Sequence, residues 1–444
     1  MKAFHTPHLN TGGSALITVI IHLCIGIGVV LTVLDMANNH SRISANQIAL
    51  EQSIYMAEAG LERGARYVES NIVALSAANG TLTTVSGSIG SGINSGNYTF
   101  VVTRVNNNLY SLICTGSVRT SKRVVSIQRI YQPSFAELAL WSHINGAIYY
   151  AYGDIFTGHV HSDDVIYFDA TNGGPVFSNL VTSATNTYVV ANGALNDIYF
   201  GQGFSYPTSF GTMSNVDFNS SATNSLKTIA TNSGLVLNGN STLSFNGSTV
   251  QITNPTLGWT NHVYTPPNEG IIYVANNGSV TGSKAGTVIL NGGTISRRLT
   301  VVAENNMTIQ SNITYATDPR THPNATNALG LISQDNISVG TSAPNNLEVD
   351  AAIMATGTSG DGSAGSWGVI SYNTGSPRGN LTVYGGIVQY QRGAVGTLNS
   401  GGTIASGYKK NYSYDPRFLN TPPPYYPVVQ NVVRFANWQD GPRQ

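Results

Sequence analysis

From Ser14 to Leu34 the chain carries no charged residue across 21 positions, enough apolar helix to cross a hydrocarbon core of about 30 Å. A secretory apolar region is shorter, about 7–15 residues, and ends in a small-x-small cleavage site. Here the run ends at Leu34-Asp35-Met36-Ala37-Asn38, which offers none. The segment reads as a membrane helix, and Lys2 ahead of it favours a cytoplasmic N-terminus. The helical pattern then continues beyond the bilayer. Leu50, Ile54, Ala57, Leu61 and Val68 recur at intervals of three, four and seven residues, while Glu51, Glu58, Glu62, Arg63 and Arg66 fall mostly off that stripe. One helix over 14–69 would be on the order of 80 Å long at 1.5 Å per residue. Its outer seam fits either a coiled-coil stalk or a spine that packs on a folded head and on neighbouring subunits.

After the helix the period changes from helical to alternating. Tyr98–Val105, Leu109–Val118 and Arg123–Tyr131 read as three strands of a meander, joined by Asn106-Asn107-Asn108 and Thr120-Ser121-Lys122. An isolated meander is marginal, so the stripe from Leu50 to Val68 is its natural partner. The small sheet is assigned to 70–132. A linker at 133–143 follows, beginning Pro133-Ser134-Phe135, with a brief helix expected over Ala136–His143. From 144 to 444, apolar runs of three to five residues alternate with Gly/Asn turns, among them Val165-Ile166-Tyr167-Phe168, Val288-Ile289-Leu290 and Leu381-Thr382-Val383-Tyr384. Such runs suit the coils of a parallel β-helix better than an irregular sandwich, because asparagine tolerates left-handed backbone and can ladder from coil to coil. The expected fold is therefore mainly β: a long N-terminal helix, a small antiparallel sheet, and a large parallel β-helix.

Composition narrows the function classes. Charged residues are 9 % of the 444, with 21 basic against 21 acidic. That balance leaves no basic stripe for nucleic acid and no charge-rich tail of the disordered kind. With 48 glycines, the chain has the make-up of a turn-rich all-β protein. Cys24 and Cys114 cannot pair if one lies in the bilayer and the other outside it, so both read as small apolar fillers.

Gly13-Ser14-Ala15-Leu16-Ile17 leading into the apolar run, followed by Tyr55-Met56-Ala57-Glu58-Ala59-Gly60-Leu61-Glu62, resembles the N-terminal region of PilX-type minor pilins. The resemblance covers about sixty residues. It implies a leader over 1–13, cleavage by prepilin peptidase between Gly13 and Ser14, and an assembly helix from 14 to 69 with the small sheet packed on its outer part. Major pilins carry a glutamate five residues into the mature chain, thought to pair with a neighbour's buried α-amine; here that position is Thr18, a neutral hydroxyl. The same loss resembles the K-type tip pseudopilin of type II secretion and implies a tip or initiating position. Downstream, Ala328-Leu329-Gly330-Leu331-Ile332-Ser333, Arg378-Gly379-Asn380-Leu381-Thr382-Val383-Tyr384-Gly385, Gln391-Arg392-Gly393-Ala394-Val395-Gly396 and Pro422-Pro423-Pro424-Tyr425-Tyr426-Pro427 resemble an uncharacterised domain often joined to such N-termini. That second resemblance implies architecture and pilus association, with no chemistry attached.

Candidate chemistry is sparse. His159 and His161, with Asp163 and Asp164, form the one cluster that could hold a metal, since residues at i and i+2 of a strand share a face; a turn between coils accounts for the same residues. Asp318, Asp335, Asp350 and Asp415 are scattered singly and read as turn formers, without the grouped carboxylates of a glycosidase. Arg378, Arg392 and Arg417 could bind an anion or satisfy backbone carbonyls at the solenoid end. Pro422–Pro427 reads as a strap over the last coil or as a polyproline ligand. The expectation is a non-enzymatic envelope protein with no cofactor and no metal. Its expected partners are the inner membrane, prepilin peptidase, other pilin-like subunits and a surface glycan. The competing reading is a membrane-anchored carbohydrate-binding or carbohydrate-active β-helix.

Overall fold

The computed structural model describes residues 12–75, 80–92, 95–106, 109–208, 216, 218, 225–276, 285–358, 364–429 and 433–440; the leader call at 1–13 falls largely outside them. Helix α1 spans Gly12–Leu75, past the expected end at Glu69. From Ala15 to Ser44 every residue is exposed. Beyond Ile48, the buried positions are Ala49, Ser53, Ala57, Gly60, Leu61, Gly64 and Val68, a helical face made largely of small residues.

That face lies on an antiparallel meander of β1 (Gly80–Ile89), β2 (Gly96–Asn106), β3 (Leu109–Val118) and β4 (Ser121–Tyr131). Ala57, Leu61 and Val68 join Phe100, Val102, Tyr110, Leu112, Ile127 and Ile130 in one core. Each such fully buried aliphatic side chain contributes about 1.5–3 kcal/mol. Close approach needs glycine on both partners. A side chain on Gly60 would meet Cys114 Sγ at 2.6 Å and Tyr98 at 2.7 Å, and one on Gly116 of β3 would strike the helix backbone at Ser53 and Ala57. Cys114 is buried here and Cys24 is exposed, both as free thiols.

The expected three-stranded meander is short by two strands. β1 precedes it, and the chain's final strand, Arg434–Asp440, pairs antiparallel with β4. The residues 434–440 therefore belong to the head sheet and not to the solenoid assigned to 144–444, because β4 presents a free edge that pairing satisfies.

The segment expected to be a linker, 133–143, is also structural. Its brief helix is one 3-10 turn, Phe135–Glu137, capped by Ser134, and Leu140–Ile144 is a strand of the large parallel sheet. That sheet winds over three faces. On the first face, Leu235, Ile272, Val301, Leu331, Ile353, Ile387, Leu140, Val160, Val181 and Phe204 stand in consecutive register. On the second, Ile313, Val349, Val383, Tyr412, Phe156, Phe177 and Phe200 follow one another. On the third, Leu243, Leu290, Ile309, Val339 and Val369 do the same. Asparagines ladder at the turns: Asn306 Oδ1 accepts from Asn336 and Asn336 Oδ1 accepts from Ser366, at 3.1 and 2.9 Å.

The stacking order departs from the chain order. The chain enters mid-stack at Leu140, climbs to Ser205 at one end, and resumes at Leu235 at the other end. It then stacks back until strands Pro377–Gln391 and Ile404–Tyr414 meet Leu140–Ile144 and Ile155–Thr157. The free end at Ser241–Gly247 is covered by an antiparallel ribbon, Thr249–Asn254 and Trp259–Tyr264, which closes an otherwise open parallel edge.

The first face is buried on its outer side as well. Tyr273, Val302, Ile332, Met354, Val388 and Trp141 pack under Phe135, Phe218, Leu226, Phe418, Tyr426 and Val429. The proline run is thus a strap along a flank, where the last coil was expected. Arg298 Nη2 donates to the Pro422 carbonyl at 2.6 Å and Thr300 Oγ1 to that of Pro424. Its end pairs with the solenoid's beginning: Phe135 N to Pro427 O at 3.1 Å and Val429 N to Pro133 O at 2.8 Å. Since Arg434 stands opposite Tyr131, the solenoid is an insertion between two adjacent strands of the head sheet.

Candidate functional site

The sequence-selected assembly residues lie on α1. Gly13 and Ser14 fall in its first turn. Thr18 sits on the exposed apolar half, its carbonyl 2.8 Å from His22 Nδ1. Of the seam, Ala57, Leu61 and Val68 are fully buried against the sheet, whereas Leu50 and Ile54 are half-buried. The glycines Gly60 and Gly64, which set how closely the helix approaches the sheet, were not selected; their spacing of four among buried positions was the available signal.

Beside the packed face runs a groove of about 620 Å³. Tyr55, Ala59 and Leu61 line its helix side, Ile127 its floor, and Phe435 and Trp438 of the final strand its far wall. Trp438 is 57 % exposed and Tyr55 65 %, so aromatic surface is presented to solvent next to a wholly exposed apolar helix. The final strand's part in this groove was illegible in sequence, because nothing local ties 434–440 to β4.

The solenoid's candidate groups are engaged with one another. His161 lies 2.7 Å from Thr182 Oγ1 and 2.9 Å from Asp163 Oδ1, His143 reaches Asp163 Oδ2 at 2.9 Å, and His159 shares the Thr182 hydroxyl. Burial pulls His159 down to about 4, so it is neutral at pH 7. Asp164 turns away to accept from the Asn145 and Val165 backbone. Among the described residues, no group of three or more His, Cys, Asp or Glu is placed to hold a metal ion.

The three arginines satisfy carbonyls, along the flank and at mid-stack and not at a solenoid end. Arg378 donates to Ala343 O and stacks on Tyr408. Arg417 donates to Ala325 O and Asn327 O while paired with Asp415. Arg392 lies 3.5 Å over the Tyr150 ring and donates to Ile148 O. Asp318 and Asp415 do cap turns. Asp350 does not: it is buried in strand Leu347–Ala355, Oδ2 accepting from Tyr315 N at 3.0 Å and Oδ1 without a hydrogen-bond partner. Burial pushes it up to about 7.

Where coil 386–414 meets coil 140–157, polar groups cross the joint. Lys410 Nζ and Asp154 Oδ2 form an ion pair at 2.5 Å, both side chains nearly buried. Gln389 Nε2 donates to Ser142 Oγ, and Arg392 to Asn145 Oδ1, each at 3.2 Å. These partners are separated by about 250 positions in sequence, and neither of each pair signals the other.

No protein-family model matches the sequence, and no curated protein matches it. Among solved structures, the competence-associated pilin ComZ from Thermus thermophilus is similar over 89 % of this chain and 98 % of that chain, at 14 % identity and a TM-score of 0.34. That likeness is too distant to carry a conclusion about function.

Proposed function

We propose that this chain is a non-catalytic, pilin-like envelope protein with a minor or tip position in a type IV pilus-like filament. One observation supports this above the others. The first half of α1 is apolar, 0 % buried and long enough to span a membrane, and it runs without a break into a half clamped on a sheet. A tether alone needs no such continuity; an assembly spine does, since the exposed half must be covered first by lipid and then by neighbouring subunits. The groove walled by Phe435 and Trp438 would receive a neighbour's helix. In this reading the chain inserts N-in, prepilin peptidase cuts between Gly13 and Ser14, and other pilin-like subunits pack on the seam. Thr18 cannot neutralise a neighbour's α-amine in lipid, where an unpaired charge is costly, which fits a subunit with no neighbour ahead of it. The insertion between β4 and the final strand holds the solenoid on two chain crossings, a mount suited to outward display.

N-terminal sequencing of the membrane-extracted protein tests this reading. Ser14 is the expected first residue when prepilin peptidase is present, and the uncut chain is expected when it is deleted. The same uncut N-terminus in both backgrounds would remove it. The second reading, a tethered carbohydrate-binding solenoid, draws on the cleft described next.

A further inference from the structure

At the joint between coil 386–414 and coil 140–157 lies a cleft of about 520 Å³, within the roughly 300–1,000 Å³ range of small-ligand sites. One wall is the segment Ala147–Tyr152, which includes the strand Tyr149–Tyr150, with Asp169 of the next coil; the other is the hairpin Gly396–Leu398 and Ile404–Tyr414. The hairpin is held in place at both ends. Thr397 and Ser406 hydroxyls meet at 2.6 Å, Asn399 Oδ1 accepts from Gly401 N and Thr403 N at 3.1 Å, and Asn172 Nδ2 of the facing coil donates to Gly401 O at 3.1 Å. The cleft is therefore preformed, with little ordering left to pay on binding.

Its lining points to one ligand chemistry. Tyr152 and Tyr372 are 41 % and 36 % exposed and Tyr149 is half-buried, offering flat apolar faces with polar tips. Between them stand the small hydroxyl and amide groups of Thr397, Asn399 and Ser400. The charges balance. Asp154 and Lys410 neutralise each other, leaving Asp169 and Lys409. Hydrogen bonds from Thr171 and Asn192 hold Asp169 ionised, below the usual carboxylate range despite partial burial. Asp169 accepts Thr171 N at 2.9 Å and Thr171 Oγ1 at 2.6 Å on Oδ1, and Asn192 Nδ2 at 3.2 Å on Oδ2; the second lone pair of Oδ2 is left for a ligand hydroxyl.

We infer that this cleft binds a neutral oligosaccharide, stacking sugar rings on Tyr152 and Tyr372 and hydrogen-bonding their hydroxyls to Asp169 and to the one Nδ2 hydrogen of Asn399 that Thr403 Oγ1 does not take. A charged ligand would meet a balanced site, and a purely apolar one would strand its amides and hydroxyls. Cleavage is not part of the inference, because Asp154 is committed to Lys410 and Asp169 stands without a second free carboxyl to act as an acid.

The inference rests on the solenoid being the displayed part of the protein, yet it is tested separately from filament assembly. The purified full chain in detergent is titrated with cello-, malto- and chitohexaose and, for contrast, with a polygalacturonate hexamer. Saturable binding of at least one neutral hexaose is expected. It should weaken at least ten-fold in a Tyr152→Ala/Tyr372→Ala double variant, be largely restored by Tyr152→Trp/Tyr372→Trp, and be unchanged in Tyr199→Ala, an exposed tyrosine at the far end of the stack. No binding by any neutral hexaose, preference for the polygalacturonate, or binding indifferent to the double alanine variant would each overturn it. An uncut N-terminus would sink the filament reading and leave this result standing.

Discussion

The solenoid is built in two ways along one axis. In the long run, 235–414, strands reach 15 residues and the inward ladders are mostly aliphatic, with rings such as Trp367 and Tyr408 among them; Leu329 stands 30 positions after its partner Leu299. In the short run, 140–205, Val160 follows Leu140 by 20 and the strands are five residues or fewer. Strand Ile155–Thr157 turns only its central residue inward, and Val176–Phe177 only its second. On the second face one inward position must then fill the space that two share in the long run, and aromatic rings do it. Phe177 contacts the rings of Tyr150, Phe156, Phe168 and Phe200. On the second face the change of chemistry falls at Tyr412, the last long-run residue before the joint. Fewer backbone bonds per coil are thus offset by more buried area per side chain, since each aromatic buries about 150–250 Å².

The largest test of this contrast removes one ring. Phe177→Ala should cost about 3–5 kcal/mol, and Ile309→Val, a one-methyl deletion in the aliphatic ladder, about 0.5–1.5 kcal/mol. Hydrogen exchange should show the Phe177 loss confined to 140–205; equal protection losses in both runs would mean that the stack melts as one unit.

The joint comes next. Asp154→Ala strands the Lys410 ammonium in a nearly buried site, at a cost of about 3–5 kcal/mol, whereas replacing both residues by apolar ones of similar size should cost much less. Denaturant midpoints of the single and double variants decide this. If the double variant is as damaged as the single, the pair stabilises the joint outright.

The smallest effect compares two buried carboxyls, Glu137 where the short run meets the head and Asp350 in the long run. Burial raises each to about 7. Glu137 is partnered on both oxygens, by Ser134 N and by Arg434; Asp350 is partnered on one. For a carboxyl whose folded value is raised, the native state holds the proton more tightly. Stability is then greatest below the unfolded value and falls as pH rises to about 7, on the order of 3 kcal/mol for each group. Glu137→Gln and Asp350→Asn should each flatten the slope between pH 4.5 and 7. Gln loses the 3.1 Å Arg434 pair, whereas Arg320 stands 3.8 Å from Asp350 and keeps Asp318 and Glu348 at 2.8 Å, so only Asp350→Asn should be more stable than the parent at pH 8. Thermal melts across that range check the sign, and an unchanged slope would place these groups at ordinary values.

Much of the architecture was legible locally. The apolar run from Ser14, the seam through Ala57, Leu61 and Val68, the meander from Tyr98 to Tyr131 and the Asn-rich coils all follow from period and turn chemistry acting over a few residues. The short apolar runs also favoured a solenoid over an irregular sandwich, because the asparagine turns between them can ladder from coil to coil. The cleft was not legible: Tyr152, Asp169, Tyr372 and Asn399 come from separate coils, and none has a local signature.

What the sequence determined by itself is therefore the kind of each element: a membrane-length helix continuing into a packed one, a small antiparallel sheet, and a stack of short coils. Only the tertiary structure decided their order and closure. Leu140 sits between Ile387 and Val160, the solenoid is entered in the middle of its stack, and Arg434–Asp440 returns to β4 after the whole solenoid. The reason is physical. Parallel pairing is satisfied by any inward aliphatic residue at the right height, so Ile387, Leu140 and Val160 are interchangeable as neighbours. The choice among them is made by the packing of the whole stack, through side chains such as Lys410 and Asp154 that meet only once the coils are in place.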